Sequence, residues 1–92
     1  MIESVRNQAL KRFYEADDAR KLPPDMVERI RAILTALDAA QTVEALNRPS
    51  FRLHSLHGAL NGFYAVTVRA NWRIIFRFVD GTVLDVDFLD YH

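Results

Sequence analysis

The sequence predicts an α+β fold, with two N-terminal helices packed on one face of a mainly antiparallel sheet of four to five strands. Three observations carry that expectation. Apolar residues recur every three or four positions between residues 9 and 40. From residue 51 onward, aromatic and β-branched residues alternate with polar ones. The two regimes meet once, at Asn47-Arg48-Pro49, with no linker or repeat between them. A chain of 92 residues, half of them hydrophobic, is one domain spanning 1–92 with a single core.

Ile2 to Val5 is a short strand candidate. Asn7 to Ala16 reads as the first helix, with Ala9, Leu10, Phe13 and Tyr14 on one side. A polar link, Asp17 to Leu22, leads to Pro23-Pro24, which open the second helix. Proline is tolerated there because the first amides of a helix lack internal partners. Asp25 and Glu28 fall in the first turns, where negative charge suits the helix dipole. Met26, Val27, Ile30, Ile33, Leu34, Leu37 and Ala40 form the stripe of a long amphipathic helix. Thr42 is placed to cap one more turn, Val43 to Leu46.

The strands are expected at Phe51 to Leu56, Phe63 to Val68, Trp72 to Val79 and Val83 to Leu89. In the third, Trp72, Ile74, Phe76 and Phe78 should face the helices, and Arg73, Ile75, Arg77 and Val79 the solvent. In the fourth, Leu84, Val86 and Phe88 make the apolar set, with Asp85 and Asp87 outward. A two-residue Asp80-Gly81 turn would set Phe76 opposite Asp85. A three-residue loop, Asp80-Gly81-Thr82, sets Phe76 opposite Val86 and Arg77 opposite Asp85. Because a one-residue slip turns every side chain over, burial selects the three-residue loop. Arg73 then has Leu89 directly opposite on the outer face, with Asp87 and Tyr91 diagonal. The same logic favours a loop Arg69-Ala70-Asn71, with Tyr64, Val66 and Val68 in the core and Arg69 emerging at the loop. If Phe51 and Leu53 point inward, Arg52, His54 and Leu56 share the face of Arg73.

Composition excludes several classes. Cysteine is absent, so disulfides and Cys-zinc sites are ruled out, which fits the cytosol. No apolar run is long enough to span a membrane, and the N-terminus lacks the layout of a signal peptide. With glycine only at 58, 62 and 81 there is no phosphate-binding glycine loop, so no nucleotide cofactor is supported. His54 and His57, three apart on a strand, would point to opposite faces, which argues against a metal site. The net charge is zero, but its distribution is uneven. Arg52, Arg69, Arg73 and Arg77 lie in an acid-free stretch from Phe51 to Val79, and Asp80, Asp85, Asp87 and Asp90 follow. Ten of the twelve basic residues are arginine, the type suited to bidentate phosphate contacts, so a local basic face is expected.

The chemistry-bearing residues gather at the end of the chain. Asp90-Tyr91-His92 supply an acid, a phenol and an imidazole directly after a patterned strand, and His54 and Arg73 sit on two others. Proton-handling groups at the edge of a sheet with arginines nearby suggest metal-free chemistry on a phosphate ester.

The ordered set Leu53-His54-Ser55-Leu56-His57-Gly58, Gly62-Phe63-Tyr64-Ala65-Val66-Thr67-Val68, Asn71-Trp72-Arg73-Ile74-Ile75-Phe76 and the terminal Asp90-Tyr91-His92 resembles the HigB toxins of the RelE/ParE superfamily of bacterial toxin–antitoxin systems. The likeness covers nearly the whole chain, including Asn47-Arg48 before the sheet. It implies the RelE/ParE-like microbial RNase fold and ribosome-dependent cleavage of messenger RNA in the A site of the 30S subunit. It also implies neutralisation by a HigA-type helix-turn-helix antitoxin, through which the toxin would associate indirectly with DNA, and a bacterial cytoplasmic location. No cofactor is expected. His54, Asp90, Tyr91 and His92 match the family's catalytic set, and Arg73 its phosphate-facing arginine. His57 stands where relatives place Lys or His before glycine. With Arg52, Arg69 and Arg77 it makes the expected RNA- and ribosome-binding group. Ala59-Leu60 departs from the Asp-Arg pair common after that glycine and removes a charge contact.

The chemistry such a set could perform follows from the substrate. RNA carries its own nucleophile, the 2′-hydroxyl, so an enzyme need only take that proton, protonate the departing 5′-oxygen and stabilise charge on phosphorus. Acid–base groups contribute about 10²–10⁴-fold each, and a placed arginine adds electrostatic stabilisation. His92 or Asp90 is the expected base, His54 the acid or its charge-stabilising equivalent, Arg73 the phosphate holder and Tyr91 an orienting residue that stacks on a base. The products would be a 2′,3′-cyclic phosphate and a 5′-hydroxyl. The alternative is a non-catalytic, ParE-like toxin that inhibits a target such as DNA gyrase by binding.

Overall fold

The computed structural model describes residues 1–91. Helix α1 spans Gln8–Ala16. The Asn7 side-chain oxygen accepts the Leu10 N–H at 2.9 Å, which satisfies one of the orphan amides of the first turn. The helix ends at Asp17, in left-handed backbone with its N–H bonded back to Phe13. Pro23 and Pro24 open a 3₁₀ turn, Pro24–Met26, that runs into helix α2, Val27–Ala39. The expected stripe is the buried one: Met26, Ile30, Ile33, Leu34, Leu37 and Ala40 are buried, while Val27 is half-buried. The extra turn is also present as a 3₁₀ turn, Val43–Leu46, but Thr42 makes no side-chain cap bond to it.

The sheet has the order β1-β2-β3-β4, with every neighbouring pair antiparallel. The strands are β1 (His54–Ser55), β2 (Phe63–Arg69), β3 (Trp72–Val79) and β4 (Thr82–Asp90). Residues 2–5 run parallel to the free edge of β4 through bridges Ile2–Val83 and Val5–Val86. The helices therefore precede the four strands, but the chain touches the sheet before it forms α1. Strand β1 is shorter than the six residues expected, because Arg52 takes a left-handed φ of 51° and breaks the extended run. Both helices pack on one face of the sheet, against Val66, Val68, Ile74, Phe76, Val83, Val86 and Phe88.

Both hairpins correct the expected loop lengths. Val79 pairs with Thr82, so the turn is the two-residue Asp80-Gly81, with φ of 50° and 77° as a hairpin turn of this kind requires. Further along, Ile75 pairs with Asp87 and Arg77 with Leu84, so Phe76 faces two residues, Asp85 and Val86. Asp85 is the extra, bulged residue, at a φ of 55°. The bulge restores the register that a three-residue loop would have given, and Arg73 pairs with Leu89 as expected. It also places Val83 rather than Leu84 in the core. The β2–β3 hairpin repeats the device: Arg69 pairs with Trp72 and Thr67 with Arg73, leaving Val68 as the extra residue.

The outer face is not simply solvated. Ile75, expected to face water, is 2% exposed and joins Leu56, Phe63 and Ala65 in a second small cluster, with Leu60 and Leu89 packed against it. The 3₁₀ turn Gly58–Leu60 supplies that cover.

One interaction between the helices makes stability depend on pH. Tyr14 donates its hydroxyl to the Asp38 carboxylate at 2.9 Å, and the same oxygen accepts the Ile2 N–H. Burial first, then this hydrogen bond and the charges of Asp38 and Glu15, hold the Tyr14 phenol above its ordinary value. A raised folded-state value means the contribution is complete below about pH 10 and is lost as pH rises through the folded value. Tyr14→Phe should therefore flatten the alkaline limb of a melting-temperature profile while leaving its slope near pH 7 unchanged.

Candidate active site

The outer face brings part of the expected set together. On β3, Arg73 pairs with Thr67 on one side and Leu89 on the other. Its Nη1 donates to the carbonyls of Ala70 at 2.5 Å and Trp72 at 3.1 Å, which draws the guanidinium toward the β2–β3 turn. The tail is tied to that same turn, because the Tyr91 N–H donates to the Asn71 carbonyl at 2.7 Å. Tyr91 is 44% exposed, the kind of free aromatic surface on which a base can stack. Asn71 was not among the expected site residues. Its role is a main-chain one, and nothing in its side chain signals it.

Asp90 is one residue before Tyr91 and pairs across the sheet with Trp72. Alternation puts it on the helix side of β4, away from Leu89 and Arg73. Trp72 itself stacks on Phe88 with ring centroids 4.7 Å apart, so it packs with the core. His92, the remaining member of the terminal trio, lies outside the described residues.

His54 is exposed on the β1 edge and pairs with Ala65, which in turn pairs with Ile75. It therefore shares the outer face with Arg73 but lies two strands away, about 10 Å across the sheet, and one pleat repeat, about 7 Å, along it. Between them on this face β2 presents Ala65 and Thr67. The His54 Nδ1 lies 2.9 Å from the Arg52 carbonyl. A carbonyl only accepts, so Nδ1 carries the hydrogen in this contact.

The other basic positions do not form one patch. Arg52 and His57 are exposed near the β1 edge, His57 at the start of the Gly58–Leu60 turn. Arg77 sits four residues from Arg73 on β3, about 13 Å away, and contacts Asp85 at 3.3 Å, which Arg6 also approaches at 3.4 Å. Arg69 pairs with Trp72 across the hairpin, which puts it on the helix side, where it forms an ion pair with Asp25. Exposed pairs of this kind hold a side chain only weakly. Among the described residues no cluster of three or more His, Cys, Asp or Glu could hold a metal ion, and no helix is long and apolar enough to cross a membrane.

A family model described as the RelE-like toxin of type II toxin–antitoxin system HigB matches residues 3–92. The chain is 39% identical to Endoribonuclease HigB of Proteus vulgaris, over the full length of both. It is 36% identical to Toxin HigB-1 of Vibrio cholerae, covering all of this chain and 98% of the other. In fold it is similar to the YoeB–YefM toxin–antitoxin complex of Staphylococcus aureus, with a TM-score of 0.63 and 20% identity over 100% of this chain and 95% of that one. It is also similar to YafQ of E. coli, with a TM-score of 0.63 and 18% identity over 95% and 87%.

Proposed function

Since the chain belongs to the HigB-like family of RelE-like toxins in type II toxin–antitoxin systems, we propose that it is a ribosome-dependent endoribonuclease. It cleaves messenger RNA in the A site of the 30S subunit and so stops translation in the bacterial cytoplasm. The observation that carries this reading is that Arg73 and Tyr91 are both tied to the β2–β3 turn, Arg73 through the Ala70 carbonyl and Tyr91 through that of Asn71. The whole-length likeness to a relative named an endoribonuclease supports it.

In the proposed mechanism Arg73 holds the scissile phosphate and stabilises its developing charge. Tyr91 stacks against a neighbouring base. His92 takes the 2′-hydroxyl proton, since Asp90 lies on the other face of the sheet from Arg73, and the 2′-oxygen attacks phosphorus. With a hydrogen on Nε2 as well as Nδ1, His54 then donates the Nε2 proton to the departing 5′-oxygen or stabilises its charge. The products are a 2′,3′-cyclic phosphate and a 5′-hydroxyl. The set is spread over two strands and a tail, so the substrate must arrive already ordered, and a programmed ribosome provides that order. Arg52, His57, Arg69 and Arg77 are proposed to contact RNA, with Arg69 and Arg77 giving up their carboxylate partners to do so. The partner that silences the toxin is proposed to be a HigA-type helix-turn-helix antitoxin, which would also bring it to DNA.

The test is a cleavage assay on purified, programmed ribosomes beside naked message, using the full chain and a chain ending at Leu89. The full chain should cut only ribosome-bound message, within the A-site codon. The shortened chain loses one cross-strand pair, Trp72–Asp90, and should fold and bind antitoxin yet leave message intact. If the shortened chain folded and still arrested growth, the binding alternative, with a target such as DNA gyrase, would replace the nuclease.

A further inference from the structure

We propose that Arg29 on α2 and the ring of Phe51 act as a positioning clamp that fixes the orientation and tautomer of the His54 imidazole. The functional consequence rests on the reading of His54 as a group in the nuclease site. Arg29 is only half-buried, and its place on a helix gives no hint of a role at the sheet edge. Its Nη2 nevertheless donates to two carbonyls from different parts of the chain, Ser50 in the loop before β1 and Thr67 on β2, the latter at 3.0 Å. The same guanidinium lies over the Phe51 ring at 5.2 Å, and Arg48 approaches that ring at 5.0 Å. Phe51 is 2% exposed. Its N–H donates to the Arg48 carbonyl at 2.9 Å, and its own carbonyl accepts the Thr67 N–H at 2.8 Å.

These contacts leave residues 50 and 51 little freedom. The next residue, Arg52, is the one that takes a left-handed φ of 51°, a conformation that a non-glycine residue keeps only when its surroundings impose it. That conformation places the Arg52 carbonyl where the His54 Nδ1 hydrogen meets it. Returning residue 52 to ordinary extended backbone would swing the carbonyl away, and the ring would lose both its anchor and its tautomer bias. Arg29 thus acts on His54 through three linked steps: the Ser50 and Thr67 carbonyls, the Arg52 peptide and the Nδ1–H bond. It makes no contact with substrate in this scheme. Hydrogen-bonded partners of a functional histidine set its tautomer and ring orientation in the same way elsewhere.

The test combines a spectroscopic and a kinetic readout on the full chain. Nitrogen-15 shifts of the His54 ring, assigned with His54→Gln and recorded where the ring is neutral, report which nitrogen carries the hydrogen. The wild type should show it on Nδ1. Arg29→Ala should shift the population toward Nε2–H and lower turnover on programmed ribosomes about tenfold at unchanged KM. Arg29→Lys, which keeps one charged donor but cannot lie flat on the ring, should recover part of both. Phe51→Leu, which keeps the apolar fill, should reproduce the ring shift and serves if Arg29→Ala fails to fold. Folded Arg29→Ala and Phe51→Leu with wild-type ring shifts would overturn the clamp. Altered shifts with unchanged turnover would uphold the clamp and remove His54 from the nuclease mechanism.

Discussion

Replacing Arg73 with alanine should lower cleavage of ribosome-bound message by about 10²–10³-fold, the usual consequence of removing one preorganised charge-stabilising donor. The expected effect on folding is small. Arg73 is half-exposed, and the two carbonyls it bonds, Ala70 and Trp72, belong to a surface turn or border it, within reach of water. Stability should therefore change by less than about 1 kcal/mol. Arg73→Lys should recover little, because lysine supplies a point charge and not the flat two-pronged edge that matches a phosphate. Single-turnover cleavage on programmed ribosomes, with a melting curve on the same sample, separates the two effects. An alanine variant that cut at the wild-type rate would remove Arg73 from the mechanism.

The largest stability effect is expected at Phe76. This ring is fully buried between the sheet and the helices and packs on Tyr64 with centroids 5.8 Å apart. It also sits opposite the Asp85–Val86 bulge, so it fills space at the point where β4 bends. Phe76→Ala should cost about 3–5 kcal/mol. A domain of this size has about 5–14 kcal/mol in total, so the variant should lose a large share of its stability. Urea unfolding at 25 °C would show the midpoint falling with an unchanged slope. A loss below about 1 kcal/mol would mean that the ring does not anchor the core as described.

Much of this was legible in the sequence, for identifiable reasons. The α2 stripe and the inward set of β3 follow from periodicity, and burial confirms them at Ile30, Ile33, Leu37, Ile74 and Phe76. The pairing of Arg73 with Leu89 also followed from burial, since only one register hides Phe76 and Val86 together. The turn lengths did not follow. Burial constrains only the far register, and a two-residue turn with a bulge satisfies it as well as a three-residue loop. Asp80-Gly81 is itself a strong two-residue turn signal, and the Asp85 bulge reconciles that local preference with the buried pattern. The cover over Ile75 was hidden because Leu56 and Leu60 come from irregular segments that alternation does not describe. The spread of the arginines was hidden for a related reason. The acid-free stretch is continuous in sequence, but a bulge at Val68 turns Arg69 toward Asp25 and away from Arg73. The support beneath His54 had no signal at all, because it runs through carbonyl groups that every residue shares.

The paired turn and bulge make each hairpin behave like a vernier. A residue added at the tip and one removed from the ladder cancel, so the distal half of the strand keeps its setting. Lengthening the Asp80–Gly81 tip by one while deleting Asp85 should leave Ile74 against Phe88 and the tail against Asn71. Deleting Asp85 alone should also keep both ladders, because Leu84 then leads directly into Val86 opposite Phe76 and β4 loses only its bend.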